Sequence, residues 1–227
     1  MLQLKPEECR VLGTLIEKAQ TTPNQYPLTL NSLTTGCNQK NNREPLTELT
    51  EDEVLEAVDG LKSKGLAREA ILSGSRVNKF RHTIREALSV NVAEMAVLAE
   101  LMLRGPQSPG ELKTRAERMV PAGTEPALRS PEDALAVLGT LMAREEPLVR
   151  HLGRRPGERA DRYAQLLCPE LHRLDGPVER DAAAPRAGGR ETEGVPSEIA
   201  ELLARRIEEL EQKVSSFEQR LDKLEWR

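Results

Sequence analysis

The sequence predicts an α+β fold that is mainly helical, with two similar domains, a flexible linker and a C-terminal coiled-coil helix. Segments with helical apolar spacing are followed, twice, by a pair of short strand-like segments. A stretch rich in Pro, Gly and charge then breaks this pattern, and an apolar heptad repeat ends the chain. The predicted boundaries are 1–88, 89–170, 171–197 and 198–227.

Three helices are predicted in the first domain. Residues 6–20 begin with proline, which suits a first helical turn, and carry apolar residues at helical spacing. A second helix is predicted over about 29–38. The third begins at Thr50, where Glu53 completes a capping box, and it ends at Gly65, a typical left-handed cap.

Two strands follow these helices, at 66–72 and 79–85, on either side of a Gly-Ser turn. In the second strand Phe80, His82 and Ile84 share one face, while basic residues and a threonine alternate on the other. Three helices followed by a hairpin is the order of elements in a winged helix, so this fold is expected for the first domain.

The second domain repeats the pattern. Two helical segments have similar sequences, VLGTLIEKA at 11–19 and VLAELMLRG at 97–105. The helix predicted over 92–104 is apolar nearly all round, so we expect it to pack between the two domains.

Two further helices and a second hairpin complete the repeat. Ser108 and Glu111 predict a capping box around Pro109, and Ser130, Pro131 and Asp133 are expected to open the third helix. Residues 148–152 and 162–167 read as strands on either side of a long turn. The chain is therefore predicted to contain two tandem winged helices.

Four segments of the chain carry a recognisable signature: TTPNQYPLTLNSLTTGCNQKNNREP (21–45), GSRVNKF (74–80), LRGPQSPGELKTRAERM (103–119) and RRPGERADRYAQLL (154–167). They resemble the YceH family of bacterial proteins, which are built from winged helices. The match covers roughly residues 1–170, and the resemblance implies the same tandem architecture here.

Residues 198–227 carry an unbroken heptad pattern, which predicts a coiled coil. In a parallel dimer, each basic residue at a g position faces an acidic e residue of the partner helix. We therefore expect a homodimer; the alternative is a single amphipathic helix docked on the domains. The expected dimerisation residues are Leu203, Ile207, Leu210, Val214, Phe217, Leu221 and Leu224.

Composition narrows the function classes. The 227-residue chain has a net charge of −4 and a pI near 5.6, so it lacks the positive charge common in dedicated nucleic-acid binders. No signal peptide and no apolar run of membrane-spanning length is evident. We expect a cytoplasmic protein with no membrane partner.

The amide-rich segment is the strongest candidate for recognition. Asn and Gln can bind adenine edges, and Arg and Lys can reach guanine or phosphate. The alternative is a structural loop whose amides bind its own backbone and cap the preceding helix. The candidate contacts with double-stranded DNA are Asn38, Gln39, Lys40, Asn41, Asn42 and Arg43.

Both predicted hairpins are basic, as expected for strands that lie along a phosphate backbone. The alternative is a charged, solvated hairpin. The first contributes Arg76, Lys79 and Arg81 as candidate DNA contacts, and the second contributes Arg154, Arg155 and Arg159.

The third helix of each domain begins with acidic residues, at 51–53 and at 132–133. These carboxylates stabilise the helix N-terminus but repel phosphates, so they argue against base readout by the helix starts. Two functions stay open: a dimeric DNA-binding transcriptional regulator, or a non-catalytic adaptor that docks on a bacterial assembly.

Catalysis is not expected. His82, His151 and His172 are scattered, and the sequence has no phosphate-binding loop, nucleophile elbow or HExxH motif. The three cysteines have neither metal-ligand spacing nor the pattern of a disulfide framework, and they fit a reducing compartment. No metal or other cofactor is expected.

Overall fold

The computed structural model describes residues 2–70, 77–154 and 160–172, which all lie in one compact unit. Nearly all of the predicted linker and the whole predicted coiled coil, with its dimerisation residues, lie outside the described residues. The described part contains seven α-helices and two small antiparallel sheets. The prediction of a mixed, mainly helical fold is therefore confirmed for this part.

The predicted helices and strands occur in the predicted order, and the described residues add a short strand at Leu28–Thr29 and a short helix at Ile84–Leu88. The helices are α1 (Pro6–Thr21), α2 (Leu30–Cys37), α3 (Glu51–Ser63), α4 (Ile84–Leu88), α5 (Val92–Arg104), α6 (Pro109–Ala116) and α7 (Pro131–Met142). The strands are β1 (Leu28–Thr29), β2 (Ala67–Ala70), β3 (Lys79–His82), β4 (Val149–Gly153) and β5 (Arg162–Gln165), and short 3₁₀ helices span Pro23–Gln25, Glu117–Met119 and Pro169–Leu171. The first sheet has the order β1–β3–β2, and β4 pairs with β5.

Helix starts agree with the local sequence signals. The Thr50 hydroxyl accepts a hydrogen bond from the Glu53 N–H at 3.2 Å, and the Glu53 carboxylate accepts one from the Thr50 N–H at 2.8 Å. Ser108 and Ser130 form capping boxes of the same kind. Gly65 has a φ of +71°, as its left-handed position requires. These predicted boundaries are confirmed.

Helix α5 lies at the centre of the core and packs along α1, α6 and α7. Its residues from Ala93 to Leu103 are all buried. At Gly13 of α1, an added Cβ would lie 3.0 Å from Cγ of Leu103, so the two helices approach closely there. Helix α5 therefore contacts helices that precede it and helices that follow it in the chain, and its place between two domains stays a prediction.

Two predicted boundaries need correction. The strand predicted over 79–85 ends at His82, because Thr83 turns back to bond Leu66 through its N–H and Gly65 through its hydroxyl. The chain then enters α4. At the other end, Leu171 belongs to a 3₁₀ helix and His172 is buried, so the predicted linker begins later than residue 171.

Replacing Gly105 by alanine is expected to destabilise the protein by about 3 kcal/mol, because two costs coincide there. Gly105 has a φ of +79° and a ψ of −158°, which L-residues rarely adopt, and an added Cβ would lie 2.6 Å from Cδ2 of His172. Urea unfolding measures the change. The matched control is Gly139→Ala within α7, where a Cβ meets nothing within 4 Å and helix propensity predicts a gain of up to about 1 kcal/mol. Equal effects of the two variants would contradict this argument.

Candidate nucleic-acid interface

The Asn38 side chain forms hydrogen bonds with the loop between α2 and α3. Its Oδ1 accepts a hydrogen bond from the Leu49 N–H at 2.9 Å, and its Nδ2 donates to the Leu49 carbonyl at 2.7 Å. The Thr47 hydroxyl also bonds Oδ1, at 3.2 Å. This amide therefore holds the chain that leads into α3, as the alternative interpretation of the segment expected.

Arg43 lies inside the protein. Its side chain is fully buried, and Nη2 donates to Oε2 of Glu17 at 2.7 Å. Nε and Nη2 also donate to the Gly36 carbonyl, at 3.1 and 2.8 Å. Because the guanidinium is already committed to a carboxylate and a helix carbonyl, it is not available to DNA in this conformation. The expectation of a DNA contact at Arg43 is corrected to an internal role.

The other four candidates in the segment divide into two pairs. Gln39 accepts a hydrogen bond from Lys18 at 2.5 Å, and Asn42 accepts one from Arg104 of α5. Lys40 and Asn41 are exposed. The exposed recognition surface of this segment is therefore much smaller than its composition indicates.

The first hairpin carries an outward basic face. Arg68 of β2 lies directly opposite Arg81 of β3, and Ala70 lies opposite Lys79, so the three cations share one face of the sheet. Phe80 points the other way, into the core. No ion pair joins these three cations to a carboxylate within the described residues. Arg68 is exposed and Lys79 and Arg81 are partly buried; the buried Nε of Arg81 has no hydrogen-bond partner in the same part of the chain. We call Arg68, Lys79 and Arg81 the basic face. Arg76 lies outside the described residues.

In the second hairpin, some of the basic side chains lie beside a carboxylate of the same hairpin. Nε of Arg154 lies 3.2 Å from Oδ1 of Asp161, and Nε2 of His151 lies 3.2 Å from the other oxygen of the same carboxylate. Arg162 donates to the Pro106 carbonyl at 2.6 Å, which holds it against the body of the protein. Arg155 and Arg159 lie outside the described residues. Among the described residues of the second hairpin, Arg154 and Arg162 are therefore held by internal contacts, whereas Arg150 of β4 is exposed.

The two third helices present different faces to solvent. On α3 the exposed side chains are mostly acidic, and Leu55 stands among them at 37% exposure. On α7, Leu135 is 43% exposed and is followed by the exposed Ala136. Neither face is cationic. Base readout is therefore disfavoured along the exposed face of each helix, and not only at its first turn. The exposed acids of α3 are Glu51, Asp52, Glu53, Glu56 and Asp59.

A buried ion cluster that the sequence analysis missed joins the two halves of the chain. Arg118 donates from Nη2 to Glu17 of α1 at 2.7 Å and to Glu100 of α5 at 3.2 Å. Both carboxylates are 2% exposed or less, and Glu17 also binds Arg43. One signal was available: Glu100 is an acid inside an almost wholly apolar helix, and buried acids are normally paired.

Within the described residues, the remaining titratable groups do not form a cluster at one site. Burial lowers the pKa of His82 to about 4, with the charge of Arg81 adding to the effect. Burial also lowers the pKa of His172 to about 4; its Nε2 donates to the Glu44 carbonyl at 2.7 Å. Over the described residues, no three His, Cys, Asp or Glu side chains come together as a metal site. In the same part of the chain, no helix is long and apolar enough to cross a membrane.

A protein-family model described as a protein of unknown function, DUF480, matches residues 4–158. A UPF0502 protein of Geobacter sulfurreducens is 53% identical over 167 residues, which cover 74% of this chain and 73% of that relative. The family assignment expected from the sequence motifs is consistent with these matches.

Two other relatives extend the similarity towards the C-terminus. UPF0502 proteins of Albidiferax ferrireducens and Polaromonas naphthalenivorans are each 43% identical, over 225 and 222 residues. These alignments cover 97% and 95% of this chain, and 89% and 95% of the two relatives. In these proteins the similarity therefore continues past residue 170, where the motif resemblance ends.

Proposed function

The chain belongs to the DUF480 family, and we propose that it is a double-stranded DNA-binding protein of two winged helices that acts as a transcriptional regulator. DNA binding rests on the basic face of the first hairpin, Arg68, Lys79 and Arg81. Like charges directly opposite each other on a sheet destabilise it. Arg68 and Arg81 are opposed in this way with no carboxylate bound to either within the described residues, so an external anion is the natural partner.

Topology supports the winged-helix part of the proposal. In the first half the order is α1, β1, α2, α3, β2, β3, with β3 between the other two strands. In the second half α5, α6, α7, β4 and β5 follow the same order. Gln107 stands where β1 stands in the first half, and it pairs with Tyr163 of the hairpin.

The charges on the exposed faces indicate which element of such a protein contacts DNA. The acidic solvent face of α3 repels phosphates, whereas the basic face attracts them and gains affinity by releasing counterions. We therefore propose that the hairpin, and not α3, makes the main backbone contacts. Lys40 and Asn41 are the members of the amide-rich segment left to contact bases or phosphates.

The predicted coiled coil supplies the dimer in this proposal. Two copies joined through residues 198–227 bring two basic faces to one DNA molecule, which raises the effective concentration of the second face. No cofactor enters the proposed mechanism.

Fluorescence anisotropy with mixed-sequence duplex DNA at several salt concentrations tests the proposal. We expect binding that weakens steeply with salt, because each phosphate contact contributes about 0.9 to the slope of log K against log salt. The Lys79→Glu/Arg81→Glu variant should bind about tenfold more weakly or worse, with a shallower slope.

The matched control is Lys113→Glu/Arg129→Glu, which changes the net charge equally but lies outside both hairpins. We expect it to bind almost as the unmodified protein does. Absence of binding at low salt, or equal losses in the two double variants, would contradict the proposal.

A second function is favoured by the acidic face of α3 with its exposed Leu55. A protein-interaction adaptor needs no basic surface, and the internal use of Asn38 and Arg43 removes two of the groups that favoured DNA. Under this function, charge reversal on the basic face leaves partner capture intact, whereas Leu55→Asp abolishes it.

A further inference from the structure

Five basic side chains share three carboxylates where the loop after α2 meets α6 and the C-terminal halves of α1 and α5. Arg118 binds both Glu17 and Glu100, as described above, and Nε of Arg104 lies 3.3 Å from the other oxygen of Glu100. The cations are Lys18, Arg43, Arg104, Arg115 and Arg118, and the acids are Glu17, Glu100 and Glu111. The chain as a whole has a net charge of −4, so this group is a local excess of positive charge.

Three arginines of this group reach the surface, and we call Arg104, Arg115 and Arg118 the arginine cluster. Their side chains are 23%, 33% and 40% exposed. Arg104 and Arg118 share the carboxylate of Glu100, and Nε of Arg118 donates to the Arg115 carbonyl at 3.1 Å. Burial lowers the pKa of Arg104; Glu100 opposes this, and the charges of Arg115 and Arg118 add to it. The arginine cluster therefore concentrates positive charge at one place on the surface.

Each arginine of the cluster keeps a nitrogen for an outside partner. Nη1 of Arg104, Nη1 of Arg118 and Nε of Arg115 form no hydrogen bond with the residues that the structure describes. A guanidinium carries five N–H donors in one plane, and it binds the oxygens of a phosphate in pairs. The buried carboxylates of Glu17 and Glu100 therefore fix the cluster and leave donors for an external anion.

The amide-rich segment brings its exposed residues, 40–41, to the edge of the arginine cluster. Nζ of Lys18 donates to Oε1 of Gln39 at 2.5 Å, and Asn42 accepts a hydrogen bond from Nη2 of Arg104. Asn42 has a φ of +62°, a left-handed conformation that asparagine tolerates. These contacts hold both sides of the exposed Lys-Asn pair, which we call the tip.

We propose that the arginine cluster and the tip form a second surface that binds the phosphates of a DNA backbone. The inference rests on the proposed DNA binding and adds a contact region to the basic face. Phosphate suits this surface because its oxygens accept from several guanidiniums at once, and because the amide of Asn41 can also donate to it. A DNA backbone supplies phosphates in series, which matches cations contributed by α5, α6 and the loop.

Anisotropy with the same duplex DNA tests this surface in the variant Lys40→Gln/Arg115→Gln, which leaves the other two arginines on their carboxylates. We expect about fivefold weaker binding, and a slope of log K against log salt that is shallower by up to about 1.8, because two phosphate contacts are lost. The comparison variant is Lys5→Gln/Arg129→Gln, which removes the same charge from side chains that are 67% and 72% exposed. It should bind as the unmodified chain does.

Chemical labelling of the unmodified chain tests the tip without any substitution. Sulfo-NHS-acetate acetylates exposed lysines, and peptide mass spectrometry measures the rate at each of them. We expect bound DNA to slow the labelling of Lys40 several-fold and to leave that of Lys5 unchanged.

Two results would overturn the inference and leave the proposed function in place. In the first, DNA binds but Lys40 is labelled as fast as in the free chain; in the second, Lys40→Gln/Arg115→Gln binds as its comparison variant does. Absence of DNA binding to the unmodified chain would instead contradict the proposed function itself, and this inference with it.

Folding of each variant is checked by its circular dichroism spectrum, because Nη1 of Arg115 also donates to the buried Gln107 at 2.7 Å. If the substitution at Arg115 unfolds the chain, Lys40→Gln alone supplies the result. Its slope should be shallower by about 0.9, the contribution of one phosphate contact.

Discussion

Glu17→Gln is expected to destabilise the protein by about 3–5 kcal/mol, the cost of leaving buried charges without their partner. Burial raises the pKa of Glu17, but the hydrogen bond and charge of Arg43, followed by the bond from Arg118, outweigh it and lower the pKa. The glutamine side chain has no negative charge, and its amide N–H₂ group cannot accept from a guanidinium. The fully buried Arg43 then lacks its counter-ion. Urea unfolding at neutral pH measures the loss.

The control is Glu117→Gln, which removes an ion pair of 2.9 Å with Lys113 from a side chain that is 51% exposed. Such surface pairs contribute about 0–1 kcal/mol, so this variant should change little. A second comparison is Glu17→Leu/Arg43→Met, which removes both members of the buried pair and should recover much of the lost stability. If Glu17→Gln costs no more than Glu117→Gln, the cluster does not hold the two halves together.

Acidification from about pH 6.5 to pH 4 is expected to remove a comparable amount of stability. Burial lowers the pKa of both His82 and His172 to about 4 in the folded protein. Above pH 6.5 both histidines are neutral whether the chain is folded or not, so stability does not depend on them. Between pH 6.5 and 4 the unfolded chain binds protons that the folded chain does not, which favours unfolding. The loss levels off below pH 4 and reaches up to about 3 kcal/mol for each histidine.

Urea unfolding at a series of pH values measures this loss. His172→Gln keeps a donor for the Glu44 carbonyl, and His82→Phe keeps an aromatic ring beside Tyr26. The double variant should be much less sensitive to pH between 6.5 and 4. His151→Gln, at a side chain 31% exposed, is the control. An unchanged pH profile in the double variant would rule out these histidines as the cause.

Local signals in the sequence were sufficient for the predicted helices, but not for the short helix α4, whose first residues were predicted as strand. The capping boxes at Thr50, Ser108 and Ser130 depend on contacts between residues three positions apart, and the structure contains all three. Helix α5 was recognisable because its side chains are apolar on every side, a composition that only a central position accommodates. The left-handed residue that ends α3 was likewise marked by a glycine, Gly65.

The role of the amide-rich segment was not recognisable from its composition. Asn38 and Arg43 have the same donors and acceptors whether they bind DNA or their own chain, and the choice depends on neighbours that are distant in sequence. Glu17 binds Arg43 across 26 positions and Arg118 across 101. The end of β3 at His82 similarly depended on hydrogen bonds from Thr83 to Leu66 and Gly65, which lie 17 and 18 positions earlier, just before β2.

The sequence by itself determined the order of helices and hairpins, their starts, and the basic and acidic character of their faces, because propensity, capping and periodicity act within a few residues. The tertiary structure alone decided which polar side chains are used internally and which cations, among the described residues of the first hairpin, have no carboxylate partner. These outcomes depend on segments far apart along the chain, whose contacts form only when α5 and the helices around it pack into one core.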